Sequence, residues 1–282
     1  MAGMTARRVL TAGGLGLALL SLAACETGGF NGEQHADRLT HPQADPKNNI
    51  ASISAVVAQN PRDANALDMR GTAYGQAGDY ERALADFSAA IRINPQFYRA
   101  YNNRALIYLR MGRLDAALAD YNQAIAIKPD YAAAFTGRGN VYRQQRDYAQ
   151  AIADFSRAIE LKPDDGAAYL GRGLINQAMN NHRAALDDLT VAVNCRPDAP
   201  DPHYARGVSY MAVQEFKKAL EDFKVAGTNK VNNYEAWVSA GQAAEAMGDR
   251  KEAAQAYRRA LQINSSSGMA YEGLRRAGGE DA

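Results

Sequence analysis

Small and large apolar residues recur along this chain at helical spacing, and the whole set returns every 34 residues. Ala83, Ala117, Ala151, Ala185, Ala219 and Ala253 hold one phase; four residues on stand Phe87, Tyr121, Phe155, Leu189, Phe223 and Tyr257; three beyond those come Ala90, Ala124, Ala158, Ala192, Ala226 and Ala260. Spacing of i, i+4 and i+7 lines one face of a helix. A second set precedes each of these: small residues at Gly71, Ala105, Gly139, Gly173, Gly207 and Gly241, followed three positions later by an aromatic at Tyr74, Tyr108, Tyr142 and Tyr210. Prolines at 61, 95, 129, 163 and 197 punctuate the pattern. Two helices per period, A then B, are predicted, and a fixed period of this length predicts stacked helix-turn-helix units.

Six copies follow, at 64–97, 98–131, 132–165, 166–199, 200–233 and 234–267. No copy can bury its apolar face alone, so stacking makes one continuous core. Ile50, Ile53, Val56 and Val57 predict one extra B-type helix before the first copy, and Met269, Tyr271 and Leu274 a capping A-type helix after the last. The expected fold class is an all-α superhelix over residues 48–277, with a tail at 278–282. The alternation of small and large residues resembles the tetratricopeptide repeat family, in which small positions let A approach B and large ones fill the gaps between pairs. The junction 227–233 departs from the pattern. Val231 replaces the periodic proline, and Gly227 with two later asparagines predicts an early helix end and an offset sixth copy.

The first residues obey another pattern. Arg7 and Arg8 precede an apolar run, Val9 to Ala24, that ends in Leu22-Ala23-Ala24-Cys25. A basic start, an apolar middle and small residues at the end make residues 1–24 a predicted signal peptide. Leu-Ala-Ala-Cys resembles a bacterial lipobox, which implies cleavage before Cys25, acylation of that cysteine and, with Glu26 next to it, the periplasmic face of the outer membrane. An ordinary secretory signal ending near a cysteine is the alternative. Residues 25–47 lack helical periodicity and read as the lipidated cysteine and a flexible tether, about 25 Å in root-mean-square span. The whole chain carries 32 basic and 31 acidic residues; loss of Arg7 and Arg8 with the signal leaves a formal charge of −1. That balance gives no electrostatic case for nucleic acid.

Candidate catalytic chemistry is thin. His35, His41, His182 and His203 stand at no metal-ligand spacing, and there is no Gly-x-Ser-x-Gly elbow, His-Glu-x-x-His or phosphate-binding loop. Gly137-x-Gly139 and Gly171-x-Gly173 fall at equivalent helix-A positions and read as packing glycines. Cys195 takes a helix-B position that holds Ile93, Ile127, Leu161 and Ile263 elsewhere, which predicts a small core hydrophobe. The expectation is a protein that is not an enzyme, with no cofactor and no metal.

Two charged columns are more informative. Arg70, Arg104, Arg138, Arg172 and Arg206 precede the small helix-A residue, and Asp86, Asp120, Asp154, Asp188 and Asp222 recur sixteen residues later on helix B. In the sixth copy both vanish together, as Ala240 and Ala256, which predicts that each Arg pairs with the Asp of its own copy. An arginine ladder gripping an acidic ligand is the functional alternative.

Family resemblance implies a concave face made mainly by exposed helix-A positions. In the first three copies these include Arg99, Asn102, Asn103, Arg110, Asn140 and Arg143, a polar half; in the last three they include Leu170, Leu174, Tyr204, Val208, Met211 and Val238, an apolar half. An exposed apolar patch of this kind marks a contact surface. A partner segment, the chain's own C-terminal cap or a second copy in a homodimer are the occupants weighed. Asp68 and Thr72 stand where the clamp with which some family members hold a C-terminal carboxylate would begin, so that mode is not expected. The layout resembles bacterial outer-membrane tetratricopeptide lipoproteins, of NlpI-like or pilus-assembly type. By that resemblance the chain is a membrane-anchored adaptor, and its partners an envelope protease, a cell-wall hydrolase or a pilus subunit. A pilotin-like assembly factor is the second reading, and a cell-wall enzyme or glycan binder the third.

Overall fold

The computed structural model describes residues 46–229 and 233–279. The predicted signal peptide, Cys25 and all but the last two tether residues lie outside them. A first helix, α1 (Pro46–Gln59), leads into six antiparallel pairs: α2 (Ala64–Gln76) with α3 (Tyr80–Ile93), α4 (Tyr98–Arg110) with α5 (Leu114–Ile127), α6 (Ala132–Gln144) with α7 (Tyr148–Leu161), α8 (Gly166–Ala178) with α9 (His182–Cys195), α10 (Pro200–Ala212) with α11 (Phe216–Asn229), and α12 (Tyr234–Ala246) with α13 (Arg250–Ile263). α14 (Gly268–Arg276) closes the array. Each helix packs on its neighbours in sequence; among the first five copies each A helix also touches the next A helix, as α12 touches α14. The result is an all-α superhelix. Among the described residues no helix is long and apolar enough to cross a membrane.

Ring-on-glycine contacts set the pitch. Phe155 on α7 is fully buried because two A helices offer it a bare backbone: a Cβ at Gly139 would lie 3.0 Å from its ring, and one at Gly171, on the following pair, 2.3 Å. Tyr121 is seated in the same way against Gly137. Gly137, Gly139, Gly171 and Gly173 are therefore where large B-helix side chains wedge between pairs. Where Leu189 replaces the ring, the following A helix carries Ala205 instead of glycine.

Each A–B turn requires one residue in the left-handed region. Gly78, Gly112 and Gly248 supply it at no steric cost, whereas Arg146, Asn180 and Gln214 hold φ of 62°, 59° and 63° in the third, fourth and fifth copies. Helix starts are capped by side chains where the sequence allows: Asp63, Asp79, Asp147, Asp165 and Asp249 each accept from backbone N–H groups of the helix that follows.

Two local expectations change. α11 does not end early at Gly227 but runs to Asn229, as long as every other B helix. Gly227 is there for packing: Trp237 donates from Nε1 to its carbonyl at 3.1 Å, and a Cβ would lie 2.7 Å from that nitrogen. Cys195 is half-buried at the last position of α9 rather than a core residue, as Ile127, Leu161 and Ile263 are in the same register, while Ile93 there is exposed. At the N-terminal end Ile53 and Val57 bury against the first pair, while Val56 faces water.

Candidate functional site

Five arginines of the A helices reach the aspartate of their own copy. Nε and Nη2 of Arg70, Arg104, Arg138, Arg172 and Arg206 donate to the two carboxylate oxygens of Asp86, Asp120, Asp154, Asp188 and Asp222 at 2.7–3.0 Å. Every one of these aspartates is buried. The carboxylate holds each guanidinium above its usual pKa range, and the fork geometry fixes the angle at which A meets B. Arg70, Arg104, Arg138 and Arg206 also lie about one turn from, and over, Tyr74, Tyr108, Tyr142 and Tyr210. A second role is not legible from the period alone. Nη1 of Arg104, Arg138 and Arg172 donates to Ser88, Asn122 and Ser156 on the B helix of the preceding copy, at 3.0, 2.6 and 3.0 Å. In the fifth copy Asp222 takes a further partner, His203 Nδ1 at 2.8 Å, whose Nε2 lies 2.8 Å from the Pro197 carbonyl. With its arginines committed to aspartates, this column is a framework and offers no free ladder to an acidic ligand.

The polar half of the concave face is knitted to itself. Arg99 donates to Asn65, Arg110 to the Gly75 carbonyl, Asn102 to Asn103 and Asn103 to Asp68, and Asn140 to the Thr136 carbonyl. Asp68 is buried, and burial pushes its carboxyl up to about 6 against the lowering pull of Asn103 and Arg99. Leu106, in register with Thr72, Asn140, Leu174 and Val208, leaves an exposed apolar side chain within this half.

Further along, α6, α8, α10 and the start of α12 enclose a cleft of about 490 Å³. Of the sequence-predicted residues it brings together Arg143, Leu170, Leu174, Tyr204 and Val208. Met211 stays outside it, packed against the terminal core. Val238, expected to line the groove, is instead buried, within a cluster against which Tyr204, Val208 and Met211 of α10 pack. Ala205, which spaces these residues in the sequence, is also in the lining; sequence reasoning missed Gln177, Asp201, Asn233 and Glu235. Gln177 follows the same helix-A register as Arg143, and Glu235 that of Asp201, which were the available signals; Asn233 comes from the aperiodic junction, where there was none. Gln177 Nε2 donates to the Ala205 carbonyl and to Ser209 Oγ at 2.6 and 2.8 Å, fixing α8 to α10 behind the cleft.

Comparison with known proteins follows the same architecture. Sequence models of the tetratricopeptide repeat match residues 69–132, 132–165 and 234–267. No curated protein sequence matches the chain. Among solved structures, the Cut9–Hcn1 tetramer of APC/C superposes at a TM-score of 0.73 with 16% identity over 88% of this chain, which spans 49% of that one. PilW, a widely conserved type IV pilus biogenesis factor, gives 0.64 with 22% identity over 76% of this chain and 97% of its own. YrrB, a TPR protein with an unusual peptide-binding site, gives 0.55 with 23% identity over 67% and 97%. At these identities the likeness is one of fold. None of the family matches is to a catalytic family.

Proposed function

We propose, because the chain belongs to the tetratricopeptide-repeat family, that it works as a protein-binding scaffold whose client site is the cleft between the third and sixth copies. One observation carries the reading. Leu170, Leu174, Tyr204 and Val208 are only half-buried and gather in one concavity, whereas the equivalent positions of the first three copies are mostly polar. Part of each side chain packs on the core behind it, and on the part left open to the cleft a partner side chain gains about 25 cal/mol for each Å² it buries. Lipidation at Cys25 would hold the scaffold at the periplasmic face of a bacterial outer membrane, with residues 26–47 as its tether; Leu22-Ala23-Ala24-Cys25 supports this. Envelope proteases, cell-wall hydrolases and pilus subunits are the partner classes this placement favours. A narrower role in pilus assembly draws on the same leader and on the fold shared with PilW.

The test of the client site is Leu174→Glu with Val208→Glu. Both side chains are half-exposed, so the fold should survive with an unchanged circular dichroism spectrum while co-isolated partner protein is lost. Retention of the same partners by the doubly charged variant would remove the cleft from the account.

A further inference from the structure

One arginine of the concave face behaves unlike the rest. Arg143, near the end of α6, has Nε shielded from water without a hydrogen-bond partner, and among the described residues its one hydrogen bond runs from Nη2 to Asn140 Oδ1 at 3.3 Å. Among the described residues it makes no ion pair. Each column arginine is raised in pKa by its carboxylate; burial instead lowers that of Arg143, the direction expected of a cation that has lost water and gained no anion. Its register is also anomalous: Gly75, Leu109, Gln177, Met211 and Glu245 hold the same position in the other copies. The cationic head therefore serves no repeat-to-repeat purpose, and it lines the apolar cleft.

A half-desolvated guanidinium next to an apolar cavity is complementary to a carboxylate carried beside an apolar side chain. Glu235 stands on the rim at the sixth copy, so a second acid there is disfavoured. Arg110 and Arg99 hold concave-face positions of helix A in the preceding copy by sequence register, and a segment running along that face passes Arg143 rather than ending there. We propose that Arg143 reads an internal Asp or Glu of a partner protein: the cleft takes an extended segment in which that acid is followed by a branched or aromatic residue, the carboxylate accepting from Arg143 and the apolar group lying among Leu170, Leu174, Tyr204 and Val208. This rests on the cleft being the client site.

The full chain and its Arg143→Gln variant, which places at 143 the residue the next copy holds at Gln177, are each used to select from a phage-displayed library of random linear peptides. The strongest binder is then measured by fluorescence anisotropy, alongside its Asp→Asn or Glu→Gln analogue and a form with an amidated C-terminus. Peptides selected by the native chain should share an acid next to an apolar residue. Neutralising the acid should weaken binding about 10- to 100-fold, as loss of a charge-assisted hydrogen bond does; amidation should change nothing; and Arg143→Gln should bind acid and amide forms alike. Selected peptides with no acid requirement, or undiminished discrimination by Arg143→Gln, would overturn the role of Arg143 while leaving the cleft as client site. Sensitivity to amidation alone would overturn the internal acid. Failure of the native chain to select any peptide would overturn the client site and this inference together.

Discussion

Replacing Arg138 and Asp154 singly and together probes the framework on which the groove depends. Arg138 donates to Asp154 at 2.8 and 2.7 Å, and the aspartate side chain is 8% exposed against 20% for the arginine side chain. Arg138→Ala strands a buried anion, for which breaking a buried pair costs about 3–5 kcal/mol; partial exposure of the pair sets the expectation at about 3. Asp154→Ala leaves a cation that keeps Asn122 and can turn to water, a cost of about 2 kcal/mol. The double variant recreates the sixth copy, where Ala240 and Ala256 are both buried. It loses the Asn122 bond and the arginine's packing on Phe135 and Tyr142, about 2 kcal/mol in all. The coupling energy is then about 3 kcal/mol. Urea unfolding followed by far-ultraviolet circular dichroism supplies the four free energies. Fluorescence of Trp237, the single tryptophan, checks that the terminal copies unfold with the rest, since repeat arrays can lose cooperativity. Additivity within about 0.5 kcal/mol would refute the pairing as an energetic unit.

Asp68 gives a pH dependence. Its folded pKa of about 6 lies above an unfolded value of about 3.9, so its contribution is fully present below about pH 4 and is lost as pH rises through about 6, some 2–3 kcal/mol in all. Asp68→Asn should remove that slope and stabilise the protein at pH 7; denaturant titrations at pH 4 and 7 decide, and an unchanged slope contradicts the assignment. Gly171→Ala should cost about 1–3 kcal/mol by driving a methyl into the Phe155 ring, and Phe155→Leu in the same chain should recover part of it, as the Leu189 and Ala205 pair suggests; no recovery in thermal melts would separate the two sites. Gln214→Gly relieves a positive φ and should raise stability by about 1 kcal/mol, whereas a lower melting temperature would show the turn to be unstrained. Cys25→Ser should move the protein from the membrane to the soluble fraction of a bacterial host; continued sedimentation with membranes would sink the lipid anchor.

The fold was legible because the packing code is periodic. Ala83 or Phe155 means the same thing at each return of the period, so six copies average away local ambiguity. Even the Arg–Asp geometry could be reasoned from its joint absence at Ala240 and Ala256. What escaped is what the period does not carry. Val238 has the register of a groove residue, yet it is buried in the terminal cluster against which Tyr204, Val208 and Met211 pack. Gly227 reads as a helix stop until Trp237 is seen to need the space. The ties from Arg104, Arg138 and Arg172 to Ser88, Asn122 and Ser156 depend on the rise between copies, which spacing does not contain. Arg143 looked like one more polar groove residue, because the lack of an ion pair among the described residues is a property of three dimensions. The cleft itself takes Asn233 from the one junction that breaks the repeat.

The most direct test of the client site places a photo-crosslinking amino acid at Leu174 in the living cell, with Ala119, exposed on α5, as the control position. Capture from Leu174 and not from Ala119 of one defined envelope protein, lost again in Arg143→Gln, is the predicted result. Capture of this chain alone, or of nothing, would contradict the account and make the apolar cleft a surface the protein keeps for itself.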